Sequence, residues 1–291
     1  MKLALGTVAL TAQNGKHAAS VPLESVREIL NLAGQAGIGL LDAAAEQEDS
    51  LSVVGRCLPE KAPFKLVVRP YLHSAEPGVS SYADQLEQGL IDTLQALSQP
   101  RLYALKTGLS LAVMNRQGER LIHRLEALKK QQLIEKTAFS VSQPEALDWL
   151  LQHCQPDIVQ LPLNVLDQRF LHNGHLSLLK NRQIEIHARD VFLQGVLLDP
   201  LHLHPWFWPL KKRMAQYHEF LVKEGLTPLE GALNFVTALP QIDYALIGVQ
   251  SRDQLSEMVA AILPGVATDD FFPFASNDSR FVDPLQWNLY E

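Results

Sequence analysis

Charged residues recur where apolar runs stop. Ile38-Gly39-Leu40-Leu41 ends at Asp42, Phe64 to Val68 ends at Arg69, and Leu102 to Leu105 ends at Lys106-Thr107-Gly108. The most marked case is Ile184-Glu185-Ile186-His187-Ala188-Arg189-Asp190, which alternates with period two and then passes through Val191-Phe192-Leu193-Gln194 to Gly195. A strand that closes on Arg and Asp puts charge at its carboxyl end, where parallel α/β folds place ligand sites. If Asp42, Arg69 and Lys106 all point inward, two cations face one carboxylate. Such a pocket favours an anionic small molecule and would lower the proton affinity of Lys106 enough for it to serve as an acid. The plainer reading leaves Lys106 solvated at a strand end.

The elements that must position these residues follow from the hydrophobic pattern. Leu3–Val8, Ile38–Leu41, Phe64–Val68, Leu102–Leu105, Thr137–Val141, Asp157–Asn164, Ile184–Arg189 and Tyr244–Gly248 read as buried strands. Helical spacing lies between most of them. Leu23–Ala36, Tyr82–Leu97, Arg120–Gln132, a helix begun by Pro144, Lys211–Lys223, Pro228–Leu239 and Asp253–Ile262 each carry an apolar stripe. Eight strands alternating with helices predict an α/β fold, a parallel (β/α)8 TIM barrel, over an open sheet. The 291 residues, 47% of them hydrophobic, are enough for one such domain over 1–291, with the barrel in 1–263 and a tail in 264–291. A long connection after strand seven carries His202-Leu203-His204-Pro205-Trp206-Phe207-Trp208-Pro209. It is either a wall or lid of the site or a cover for apolar surface.

The net charge of −7, from 25 Lys and Arg against 32 Asp and Glu, is spread without long runs. It offers no basic stripe for nucleic acid or an anionic membrane. Cys57 and Cys154 are far apart in apolar segments and read as reduced thiols of a cytoplasmic protein. The short apolar run Leu3–Leu10 reads as a strand and not as a signal peptide, and no stretch approaches a membrane span. His172, His175, His187, His202 and His204 match no compact metal-binding spacing, so no metal is expected.

Six segments, in order, resemble the aldo-keto reductases: Leu5-Gly6-Thr7, Leu41-Asp42-Ala43-Ala44, Ala138-Phe139-Ser140-Val141-Ser142, Ile158–Asn164, Ala188–Gly195 and Ile247–Leu255. That resemblance implies carbonyl reduction with NADP(H) through an Asp, Tyr, Lys, His tetrad on successive strand ends. The tyrosine gives its proton to the alkoxide, the lysine lowers the phenol's proton affinity, the aspartate pairs with the lysine, and the histidine orients the carbonyl. Only the aspartate, Asp42, is kept. Gln47 stands at the tyrosine position, Arg69 at the lysine position and Lys106 at the histidine position. Gln47 can donate a hydrogen bond but cannot give up a proton, and Arg69 remains able to pair with Asp42.

The resemblance also implies cofactor contacts. Ser140, with Gln160 or Asn164, would hold the nicotinamide amide, and Arg189, Gln194 and Gly195 would lie by the pyrophosphate. Gly248, Ser251, Arg252, Gln254 and Glu257 would frame the adenosine phosphate at a helix start. Asp190 stands where the family usually has serine, and a carboxylate beside a pyrophosphate costs electrostatic energy unless Arg189 offsets it. The implied function is an NADP(H)-dependent oxidoreductase acting on a carbonyl or alcohol, with cofactor binding weakened or lost. The alternative is a catalytically silent barrel that binds a ligand or partner.

Overall fold

The computed structural model describes residues 2–11, 21–45, 50–59, 64–71, 82–109, 114, 116–287 and 289. Its eight strands are β1 (Leu3–Gly6), β2 (Leu40–Ala44), β3 (Lys65–Arg69), β4 (Leu102–Leu109), β5 (Ile134–Val141), β6 (Ile158–Pro162), β7 (Glu185–Arg189) and β8 (Tyr244–Gly248). They close into a parallel barrel in sequence order, the (β/α)8 arrangement that alternating strands and helices predict.

Two compact units make up the chain: Leu3–Gln160 with Leu246–Ser256, and Leu161–Ala245 with Glu257–Glu291. In the first, the ladder is staggered. Asp42 pairs with Val67 and Val67 with Ala104, while Lys106 pairs with Ala138, Ala138 with Ile158, and Ser140 with Gln160. Moving from β2 to β4, and again from β4 to β6, thus raises the level residue by two. Side chains from alternate strands share one interior layer in such barrels. Asp42, Lys106 and Gln160 are one residue each from β2, β4 and β6, offset by that stagger.

The strand β4 is longer than the pattern suggests. It runs through Lys106, Thr107 and Gly108 to Leu109, so Lys106 lies inside the strand and not at its end. Apolarity alone stops the prediction at Leu105, whereas the backbone ladder continues wherever a buried polar side chain finds partners.

In the second unit β7 pairs with β8, matching His187 to Tyr244 and Ala188 to Ala245. Between β6 and β7 stand two short helices, Arg169–His172 and His175–Asn181, which the sequence pattern does not show. The aromatic connection forms a 3-10 segment, Pro205–Leu210. It packs on the tail: Phe207 meets the Trp287 ring edge-on at 4.9 Å, and the Trp206 indole donates to the Arg280 carbonyl at 3.1 Å. No helix among the described residues is long and apolar enough to cross a membrane.

Candidate active site

Asp42, Lys106 and Gln160 are each 4% exposed, and they interlock. Lys106 Nζ donates to both Asp42 oxygens at 2.6 Å and to Gln160 Oε1 at 3.1 Å. Gln160 Nε2 donates to Asp42 Oδ2 at 2.8 Å, closing the ring of contacts. Three acceptors therefore face the three N–H donors of one ammonium. This corrects two expectations: Lys106 is not solvated, and Asp42 takes its cation from β4, not from Arg69 on β3. The stagger brings Lys106 into the interior layer of Asp42, where it meets both carboxylate oxygens, whereas Arg69 stands on β3 level with Ala44, two residues beyond Val67, the partner of Asp42. Arg69 is half-buried and has its own interaction. Gln47 lies outside the described residues.

Ser140, level with Gln160 near the end of β5, is half-buried. After β8, Gly248 and Arg252 are exposed, and Arg252 opens the helix Arg252–Ala260. Ser251 Oγ accepts from the Gln254 amide at 3.2 Å while Gln254 Oε1 accepts from the Gln250 amide at 2.8 Å. Both side chains satisfy backbone amides at the helix start. The Arg252 guanidinium is left at its solvent edge.

In the second unit Asn164 is a loop organiser. Its Oδ1 accepts from the amides of Leu166 and Asp167 at 3.0 and 2.9 Å, and its Nδ2 donates to the Asp190 carbonyl at 3.0 Å. Asp167, fully buried, takes a two-pronged contact from Arg169 at 2.7 and 2.8 Å. Burial raises its proton affinity and Arg169 opposes that rise. Arg189 pairs with the Asp190 carboxylate, and Gln194 Nε2 donates to the same carboxylate at 3.2 Å. Glu257 is exposed on its helix.

The loop after β7 has positive φ at Asp190 (57°), Leu193 (47°), Gln194 (51°) and Gly195 (93°). Only the last is glycine, so three side chains there adopt a conformation that L-residues enter at a cost. The same loop borders a cavity of about 520 Å³ that also touches Asp199, His202, Phe207 and Trp287. The aromatic segment is thus a wall as well as a cover. Asp199 did not stand out in the sequence, and Trp287 read there as packing, since a wall built from two distant segments leaves no local pattern.

Of the histidines, His187 is bound to Glu185 at 2.8 Å and His202 to Asp199 at 2.8 Å. Among the described residues no group of three or more His, Cys, Asp or Glu is placed to hold a metal. Cys57 and Cys154 are unpaired thiols; burial, together with Glu126 and Asp157, pushes the Cys154 thiol up to about 12.

The profile of the aldo/keto reductase family matches residues 2–272. The chain belongs to the aldo/keto reductase family. Among solved structures it is similar to the aldo-keto reductase AKR11C1 from Bacillus halodurans in its holo form, at 17% identity and TM-score 0.76 over 94% of this chain and 90% of that one. It is also similar to the glycerol dehydrogenase AKR11B4 from Gluconobacter oxydans, at 19% identity and TM-score 0.73 over 97% and 94%. At these identities the likeness is one of fold. No curated protein sequence matches it. Within this aldo/keto reductase barrel, the ammonium partner of the β2 residue Asp42 arrives from β4.

Proposed function

We propose that this chain is an NADP(H)-binding oxidoreductase of low turnover on carbonyl compounds, in which the Asp42–Lys106–Gln160 cluster serves as structure and not as the proton donor. The closed hydrogen-bond ring carries this reading, because an ammonium whose donors meet Asp42 and Gln160 has none to spare for a substrate oxygen. Neither does glutamine at position 47 give up a proton. A missing donor typically costs about 10²- to 10⁴-fold in rate.

The residues fit the phosphate-bearing part of the cofactor better than its nicotinamide end. Arg252, exposed at a capped helix start, suits a 2′-phosphate. Gly195 is open, since a Cβ built there would meet nothing within 4 Å. Gln160 and Asn164, by contrast, have both ends of their carboxamides committed to protein partners, which leaves Ser140 to hold the nicotinamide amide. When bound, the nicotinamide supplies or accepts the hydride. The charge of Lys106 is met by Asp42, so it does not draw an anionic substrate.

A second reading, a ligand-binding barrel without reductase chemistry, draws on Asp190. Its carboxylate already occupies Arg189 and Gln194, as a phosphate would. NADPH oxidation by the purified protein, with aldehydes, ketones and anionic carbonyl compounds, tests both. Slow oxidation with saturable cofactor binding is the expected result. Turnover of about 1 s⁻¹ or more, an ordinary enzyme rate, overturns the low-turnover reading. Absence of NADPH binding leaves the ligand-binding barrel.

A further inference from the structure

The other end of the first unit's strands carries a phenol between two ammonium groups. Lys65 opens β3, Tyr103 is the second residue of β4, and Lys136 is the third of β5, so all three lie at the amino-terminal ends of neighbouring parallel strands. Lys136 Nζ donates to the Tyr103 hydroxyl at 2.6 Å and stands 4.7 Å from its ring centroid. Lys65 Nζ is 4.8 Å from the same centroid. We propose that Tyr103, held between Lys136 and Lys65, is an activated phenol and a site of covalent O-modification by acyl and sulfonyl electrophiles.

Cations beside a phenol favour the phenolate, and a charge-assisted donor on its oxygen stabilises that form further. The one carboxylate adjoining the pair in sequence, Glu135, is engaged by Arg101 at 3.2 Å, just ahead of β4. Lys65 and Lys136 thus bring two cationic groups onto the phenol from the strands on either side of it. Reagent has access to this end of the strands, where Lys65 is exposed and Tyr103 and Lys136 are only half-buried. With an aryl sulfonyl fluoride the phenol loses its proton to water and the oxygen attacks sulfur. The O–S bond forms, the S–F bond breaks, and fluoride leaves; nothing is oxidised or reduced.

The test is limited labelling of the full-length protein with an aryl sulfonyl fluoride, read by peptide mass spectrometry across its six tyrosines. Tyr103 should label first, about tenfold faster than the others, because two cations favour its phenolate. Lys136→Met should remove that advantage and Lys136→Arg should keep it, with circular dichroism reporting the fold of each. A difference titration at 295 nm between wild type and Tyr103→Phe reads the phenolate directly, independently of whether Lys136→Met folds. Its inflection should fall below the ~10 of an ordinary tyrosine. Labelling of Tyr103 no faster than the rest, an inflection at or above that value, or full retention of the advantage in a folded Lys136→Met protein overturns the proposal.

Discussion

Lys106 shows how a residue's type can be legible and its partner not. The sequence marks it as a cation near a carboxylate, yet its burial and its two acceptors depend on which strands share an interior layer, information that no local spacing carries. Asp42 and Lys106 are 64 residues apart and Gln160 is 54 beyond Lys106. Breaking a buried pair from one side typically costs about 3–5 kcal/mol, since the surviving charge has no compensation. Lys106→Met should therefore lower the urea-unfolding free energy by about that amount. Adding Asp42→Asn should recover much of the loss, because asparagine and Gln160 can bond to each other without a net charge. Additive losses in this double-mutant cycle would show that the two side chains are not energetically joined. By contrast, the capping pair Ser251 and Gln254 was within reach of sequence, being local.

At the scale of elements, all eight strands were readable from apolar runs, and the errors fell at their edges. β4 and β5 each run further than apolarity alone indicates, because polar residues within them belong to the ladder. The helices Arg169–His172 and His175–Asn181 went unseen because each spans too few turns to show a period. Gly55 illustrates a different limit. Mid-helix glycine normally costs about 1 kcal/mol against alanine, so its presence in Ser50–Cys57 calls for a reason, and the structure gives one. A Cβ there would lie 2.1 Å from the Ala96 carbonyl oxygen and 3.0 Å from the Leu97 Cα, both backbone atoms of the helix Tyr82–Leu97. Gly55→Ala should destabilise by about 1–3 kcal/mol or more despite alanine's better helix propensity. A thermal melt equal to or above wild type would mean that the two helices are free to separate.

For the molecule as a whole, the fold and family were legible because six motifs in fixed order constrain the entire chain. The chemistry was less so, because it turns on where side chains within those motifs point. Cofactor binding is measurable at this scale. NADPH at ~100 times its dissociation constant would add about 2.7 kcal/mol of stability, a rise of several degrees in melting temperature. NADH should give a smaller rise at equal concentration, and Arg252→Gln should bring the two together, since the guanidinium is the group suited to the 2′-phosphate. Equal shifts in wild type would remove Arg252 from that role.

The two compact units are not consecutive lengths of chain. The first is left at Gln160 and rejoined at Leu246, and the second resumes at Glu257. A ribosome that has delivered residues 1–160 has therefore supplied the whole Asp42–Lys106–Gln160 ring but not the segment of β8 that completes its unit. Eighty-five residues of the other unit, 161–245, must be made first. No single truncation yields either unit intact, so expression of fragments should fail. Completion of the first unit during synthesis is tied to arrival of the eighth strand.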